Sequence, residues 1–144
     1  YQLFLENTRI NNLKQIKPFN LAVSSSDSDV TLYLNEDESG HSMFSESLKT
    51  ITVKSISLQR IFDDNQIKNC NFLKLDCEGT EYEILENLPI SYFNKIEKII
   101  IEYHMADTHP ELLSKLKKLL ISQNYNIEIK KLFSDIGFLY ASKN

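Results

Sequence analysis

Glycine is scarce in this chain of 144 residues, and its three glycines, Gly40, Gly79 and Gly137, lie far apart. A nucleotide-binding loop of the type G-x-G-x-x-G, or a phosphate-binding P-loop, needs glycines within a few residues of one another. The G-x-S-x-G turn that carries a serine nucleophile is also missing. The sequence therefore contains neither a glycine-rich nucleotide loop nor the turn of a serine hydrolase.

Cysteine, long apolar runs and an excess of positive charge are lacking as well. Two cysteines, Cys70 and Cys77, cannot form a framework of disulfides or a zinc site alone, so we expect a reduced, cytoplasmic setting. No apolar run approaches the ~20 residues of a membrane-spanning helix. The net charge is −4 and the basic residues are scattered, so we expect neither nucleic acid nor a membrane as partner.

The pattern of apolar residues predicts one α/β domain over residues 1–144. A helix is predicted near residues 1–13, a strand near 19–23, and two antiparallel strands near 30–34 and 51–56. From residue 71 onward the order is strand, helix, strand, helix, strand, strand. Strands that alternate with helices indicate a parallel sheet with right-handed crossovers, and the last two strands should form an antiparallel hairpin.

Two possible capping boxes accompany the helices that are predicted near residues 80–88 and 110–123. Thr80 is followed by Glu83, and Thr108 by Glu111, which is the spacing of a reciprocal N-terminal cap. The second helix carries leucines at helical spacing, which predicts that this face is core: Leu112, Leu113, Leu116, Leu119 and Leu120.

Chemically reactive side chains stand where two of the predicted parallel strands end. The strand near residues 71–76 ends in Asp76, with Glu78 two residues beyond, and the strand near 96–103 ends in Glu102 and Tyr103, with His104 directly after. Ligands of open α/β sheets bind beyond the carboxyl ends of the strands. If these two strands are neighbours, the gathered carboxylates and imidazole could bind a cation, orient a hydroxyl or remove a proton.

Each of these residues also has an ordinary structural interpretation. Asp76 could cap the following helix, and Glu78 could interact with the dipole of that helix. Glu102 could pair with Lys74, which follows apolar neighbours and would be costly to bury without a carboxylate partner. His104 could be an ordinary loop histidine.

Three further features have structural explanations of the same kind. Cys77 reads as a small buried side chain, and Gly79 as a residue that permits a tight backbone turn. His41 and Ser42 form a second polar cluster, which is either a surface loop or a binding segment.

The run FLKLDCEGTE at residues 72–81 resembles the hallmark L-K-[IVL]-D-x-E-G-x-E of the FkbM family of S-adenosylmethionine-dependent methyltransferases. Residues 55–62 are similar to the family's segment ahead of that strand, although Gln59 stands where an Asp is usual. Residues 101–104 resemble its E-x-H strand end, residues 137–141 its final strand, and residues 1–24 the helix and strand after its second strand. The resemblance spans nearly the whole chain.

This resemblance implies a partial class I, Rossmann-like methyltransferase sheet that is truncated at its N-terminus. The family's first strand, glycine-rich cofactor loop and ribose-binding acid have no counterpart here, so the isolated chain should bind S-adenosylmethionine weakly. The segment Ala22, Val23 and Ser24 would lie near the adenine, with Asp76 also at the cofactor.

The implied reaction is methylation of a hydroxyl on a sugar, glycan or secondary metabolite, and the implied catalytic residues are Asp76, Glu78, Glu102 and His104. A methyl group on a sulfonium is already activated, so the enzyme must mainly align the hydroxyl and accept its proton. Two other classes stay open from the residues alone. One is a metal-dependent enzyme that uses Asp76, Glu78 and His104 as ligands. The other is a non-catalytic fragment or interaction module.

Overall fold

A computed structural model of the chain describes residues 1–33 and 49–143, so His41 and Ser42 lie outside the described residues. The helices and strands have the following bounds: α1 Gln2–Ile10, β1 Ala22–Ser24, β2 Asp29–Tyr33, β3 Thr50–Ser57, α2 Leu58–Asp64, β4 Leu73–Leu75, α3 Glu81–Glu86, α4 Ile90–Phe93, β5 Lys98–Tyr103, α5 Pro110–Ser122, β6 Asn126–Lys131 and β7 Gly137–Ser142.

The first half of the chain forms a three-stranded sheet in the order β1-β3-β2. β2 and β3 are antiparallel, which confirms the antiparallel strands that were predicted for the middle of the chain. β1 pairs with β3 in parallel, through Ala22 opposite Ser55 and Ser24 opposite Ser57. β1 is only three residues long and begins later than the apolar run of residues 19–23 predicts.

The second half forms a four-stranded sheet in the order β4-β5-β7-β6. β4 and β5 are parallel neighbours with Leu75 opposite Ile101, and β6 and β7 form an antiparallel hairpin. Both arrangements confirm the predictions from sequence. The described residues therefore form a mixed α/β structure with two sheets, each containing parallel and antiparallel pairs.

The hydrophobic core lies between the four-stranded sheet and helices α3 and α5. The isoleucines of β5 supply its centre: Ile99 is 1% exposed and Ile101 is fully buried. Leu116 and Leu120 of α5 are fully buried in the same core, as the helical spacing of the leucines predicts. This packing fixes the ends of β4 and β5 relative to α3, and the candidate site lies at those ends.

Neither capping box forms, although both helices exist. Thr80 has helical backbone angles (φ −88°, ψ −2°), and its hydroxyl donates to the carbonyl of Cys77 at 2.9 Å instead of capping α3. The residue before α5 is His109 rather than Thr108, because Pro110 occupies the first turn of the helix. Proline suits that position since its missing N–H would have no partner inside the helix.

Lys74 is not buried, and its partner is Asp76 rather than Glu102. Side chains alternate between the two faces of a strand. Lys74 in β4, Phe72 just before the strand and Asp76 just after it therefore lie on the same face of the sheet. That face is open: Phe72 is 54% exposed and the Lys74 side chain 53% exposed. The Lys74 ammonium lies 2.9 Å from Oδ2 of Asp76.

Across residues 1–33 and 49–143, no helix has the length and apolar character needed to cross a membrane.

Candidate functional site

Three of the residues expected at the site lie together where β4 and β5 end. Asp76 follows β4 directly, Glu102 is the penultimate residue of β5, and His104 follows β5 directly. Each offers one oxygen or nitrogen atom, and these three atoms lie within 4.8 Å of one another. The parallel pairing of β4 with β5 brings them together, because it aligns the carboxyl ends of the two strands at one edge. We call Asp76, Glu102 and His104 the strand-end cluster.

The buried carboxylate of Glu81 contacts both His104 of this cluster and the turn that follows β4. Glu81 is the first residue of α3 and is fully buried. Its carboxylate accepts the backbone N–H groups of Cys77 at 2.7 Å and Gly79 at 2.9 Å. These amides converge because Glu78 (φ 53°) and Gly79 (φ 106°) adopt left-handed backbone conformations, in which successive N–H groups face one side. Gly79 thus permits the turn that was predicted for it.

The imidazole of His104 is fixed by that carboxylate. Its Nδ1 lies 3.1 Å from Oε1 of Glu81, within hydrogen-bond distance, and its Nε2 lies 3.6 Å from Oε2 of Glu78. The hydrogen bond to Glu81 raises the pKa of His104 most strongly, burial opposes it, and the charges of Glu81, Glu78 and Glu102 add to the rise. The hydroxyl of Tyr82 donates to the carbonyl of His104 at 2.6 Å and holds the backbone as well. His104 is therefore a buried, doubly anchored histidine rather than a loop histidine.

Two charged residues stand at the margin of the cluster. Oε2 of Glu78 lies 3.6 Å from Nε2 of His104, and the Glu78 side chain is 41% exposed. On the other side, the Lys74 ammonium contacts Asp76, and this hydrogen bond raises the pKa of Lys74. The site thus combines several carboxylates with one imidazole and one exposed lysine.

Cys77 lies within the same turn but has the chemistry of an inert thiol. Burial, as the largest cause, raises the pKa of Cys77 to about 11. A thiol with this pKa is almost entirely protonated at neutral pH, and the thiolate is the nucleophilic form. Cys77 is half-buried and packs against the core, so it is less buried than the sequence interpretation expects.

The segment Ala22–Ser24 lies in β1, in the other sheet. The Ser24 hydroxyl donates to the carbonyl of Ser26 at 2.7 Å, and its Oγ lies 2.9 Å from Oγ of Ser55. Both hydrogen-bond partners of this hydroxyl therefore belong to the protein. A link to the neighbourhood of the cluster runs through the next residue, because Ser25 Oγ donates to Glu83 of α3 at 2.5 Å. That Ala22, Val23 and Ser24 lie near an adenine stays a prediction.

A cleft of about 430 Å³ opens beside the cluster, between α3 and the segment that follows β5. Gly79 and Met105, which lie one residue beyond Glu78 and His104, are among its lining residues. The other lining residues are Tyr82, Glu83, Glu86, His109, Glu111 and Leu112.

Sequence reasoning missed the roles of Glu81 and Tyr82. Glu81 is the last residue of the L-K-x-D-x-E-G-x-E run, and this was the signal that could have identified it. A glutamate in the first turn of a helix is usually explained by the helix dipole, so nothing in the pattern alone distinguishes a buried acceptor from a solvated one.

The sequence model described as "Methyltransferase FkbM domain" matches residues 2–128, which is most of the chain. No curated protein shows significant similarity to the chain. No solved structure shows significant similarity to it either.

Proposed function

Because the chain belongs to the FkbM methyltransferase family, we propose that it takes part in transfer of a methyl group from S-adenosylmethionine to a hydroxyl group. The acceptor is a hydroxyl on a sugar, glycan or secondary metabolite. The proposal includes a class I, Rossmann-like sheet for the complete fold and a cytoplasmic setting, where the two free cysteines stay reduced.

The observation that carries the proposal is the strand-end cluster. A hydroxyl is a poor nucleophile until a basic group accepts its proton, and Asp76, Glu102 and His104 bring basic groups within 4.8 Å of one another. Glu78 adds a fourth at 3.6 Å from His104. Since the imidazole is fixed through Glu81 and Tyr82, its Nε2 is positioned before an acceptor arrives, and fixed geometry is what speeds an in-line transfer.

The carboxylates at this edge of the sheet suit two parts of S-adenosylmethionine. The carboxylates of Asp76 and Glu102 can accept hydrogen bonds from ribose hydroxyls or pair with the ammonium of the methionine portion. When bound, that molecule supplies a methyl group already activated on a sulfonium. The residues of this chain therefore have to hold the acceptor hydroxyl, exclude competing water and receive one proton.

The cleft beside the cluster favours an acceptor rich in hydroxyl groups. Glu83, Glu86 and Glu111 place carboxylates along its wall, and carboxylates accept hydrogen bonds from sugar hydroxyls. Leu112 adds apolar surface on which the face of a sugar ring can pack. A volume of about 430 Å³ suits a small molecule or one terminal sugar of a glycan.

The test is methyl transfer by the protein expressed from its complete coding sequence. The protein is incubated with S-adenosylmethionine that carries a ¹³C-labelled methyl group, and with hydroxyl, amine and carboxyl acceptors of one sugar scaffold. We expect the label on the hydroxyl oxygen, identified by the NMR shift of an ether O-methyl carbon. A label on nitrogen, a label on the carboxyl group as a methyl ester, or no label on any acceptor of the panel would contradict the proposal.

A further inference from the structure

We propose that Asp76, Glu102 and His104 form a binding site for one divalent cation of the Mn²⁺ type, on which the acceptor hydroxyl lies during methyl transfer. The binding site itself follows from the geometry of the cluster. Only its role in the reaction rests on the proposed function.

The ligand set consists of two carboxylates and one imidazole from two neighbouring strands. Carboxylate oxygens suit Mg²⁺ and Mn²⁺, while imidazole suits the transition metals, so the mixed set favours Mn²⁺ or a similar ion. The three atoms lie within 4.8 Å of one another. Ligand atoms of an octahedral ion are roughly 3 to 4 Å apart, so a small rotation of the two partly exposed carboxylates closes the set.

The support of His104 is a second, independent observation. A histidine that binds a metal usually donates its other ring N–H to a carboxylate, which fixes the tautomer and the direction of the ring. His104 does this through Nδ1 and Glu81, and Glu81 is itself fixed by the amides of Cys77 and Gly79. In the tautomer that donates from Nδ1, the nitrogen that carries a lone pair for a metal is Nε2.

The contact of Lys74 with Asp76 indicates that the strand-end cluster attracts positive charge. Its ammonium lies 2.9 Å from one oxygen of Asp76, and its side chain is 53% exposed. A long exposed side chain can move into solvent at little cost, so Lys74 can leave when a cation arrives. Lys74 is therefore a competitor of the cation, and its removal should strengthen binding.

Three protein ligands leave coordination positions open for water and for the acceptor hydroxyl. A hydroxyl on a divalent cation loses its proton more readily than a free one. The proton passes to the carboxylate of Glu78, which stands 3.6 Å from Nε2 of His104. As the carbon–oxygen bond forms, the carbon–sulfur bond of the sulfonium breaks, and its electron pair stays on sulfur, which leaves as the neutral thioether of S-adenosylhomocysteine.

The test of the site is a titration with Mn²⁺ followed by EPR, which detects binding without activity. We expect one Mn²⁺ per chain, with affinity reduced by Asp76→Asn, Glu102→Gln or His104→Asn at least as much as the roughly 10- to 100-fold that loss of a residue supporting a ligand costs. Lys74→Met should bind roughly threefold to tenfold more tightly, because an opposing charge is gone. Melting curves identify any variant that has lost its fold, and Asp76→Asn and Glu102→Gln alter partly exposed groups.

The matched control is the exposed pair His109 and Glu111, whose imidazole and carboxylate lie 3.3 Å apart. The double variant His109→Asn, Glu111→Gln changes the same two kinds of side chain outside the cluster and should leave the affinity for Mn²⁺ unchanged. Absence of Mn²⁺ binding, or binding that the cluster variants do not weaken, overturns the proposal.

The role in catalysis is tested separately, with protein freed of metal by a chelator. We expect hydroxyl methylation to cease and to return with Mn²⁺, and Glu78→Gln to bind Mn²⁺ normally but turn over slowly. Undiminished methylation in the chelator overturns the role of the cation and leaves the proposed function intact. Mn²⁺ bound at the cluster without methylation of any hydroxyl supports the site and contradicts the proposed function.

Discussion

Nδ1 of His104 lies 3.1 Å from Oε1 of Glu81, and the Glu81 side chain has no exposed surface. Two elements that are distant in sequence, the start of α3 and the end of β5, are thereby joined at the site. The same carboxylate accepts two backbone amides of the turn after β4. One buried side chain thus determines both the shape of that turn and the direction of the imidazole.

We expect Glu81→Gln to destabilise the fold. A glutamine amide has one acceptor oxygen, and its NH₂ group would face one of the donors that the carboxylate now accepts. The cost of leaving a buried donor without a partner is about 1–3 kcal/mol, and urea denaturation measures it. Glu86→Gln, an exposed change on the same helix, serves as control. Equal stability of the two variants would contradict the role of Glu81.

Tyr82→Phe should lower turnover more than it lowers stability. The hydroxyl of Tyr82 bonds the carbonyl of His104 at 2.6 Å, so its loss lets the backbone at the site shift. The expected cost in unfolding free energy is about 1 kcal/mol. Tyr92→Phe removes a hydroxyl that bonds Asp63 instead and should leave turnover unchanged. Normal kcat in Tyr82→Phe would show that this hydrogen bond does not position His104.

Alkylation of Cys77 should be slow at neutral pH and rise with pH. Burial raises the pKa of Cys77 to about 11, so the reactive thiolate is the minor form below that pH. In a Cys70→Ser background, where Cys77 is the one cysteine left in the sequence, the rate with iodoacetamide should increase about tenfold per pH unit up to roughly pH 10. A rate that already levels off near pH 8 would mean that the thiol is activated.

The fold of the second half follows from local patterns in the sequence. The three isoleucines of β5, the leucines of α5 and the short turn before β7 each predict the element that forms. Pairing of β4 with β5 follows from the crossover rule, and this pairing gathers Asp76, Glu102 and His104. That part of the site is therefore predictable from sequence.

The rest depends on contacts that no local pattern contains. The partner of Lys74 depends on which face of β4 the rest of the protein covers. The sequence alone does not identify that face, because the apolar Phe72 lies on the exposed one. The burial of Glu81 depends on the left-handed turn at Glu78 and Gly79. Thr80 loses its capping role because that turn continues into helical angles.

The strand-end cluster performs chemistry beyond the contribution of His104 to the fold. Asp76→Asn keeps the shape of the side chain and its capacity to cap a helix, while it removes the charge. His104→Asn removes the imidazole. Asp64→Asn, an exposed change in the ion pair with Arg60 on α2, is the matched control.

The most direct measurement is single-turnover methyl transfer to a sugar hydroxyl by these three variants, with a melting curve for each. We predict a fall of about 10²–10⁴-fold in the rate for Asp76→Asn and His104→Asn, and an unaltered rate for Asp64→Asn. The melting temperature of Asp76→Asn should stay near that of the unaltered protein, while that of His104→Asn should fall moderately, because the imidazole contacts the buried Glu81. Unaltered rates in Asp76→Asn and His104→Asn would contradict the account, and so would a loss of rate that only accompanies a loss of the fold.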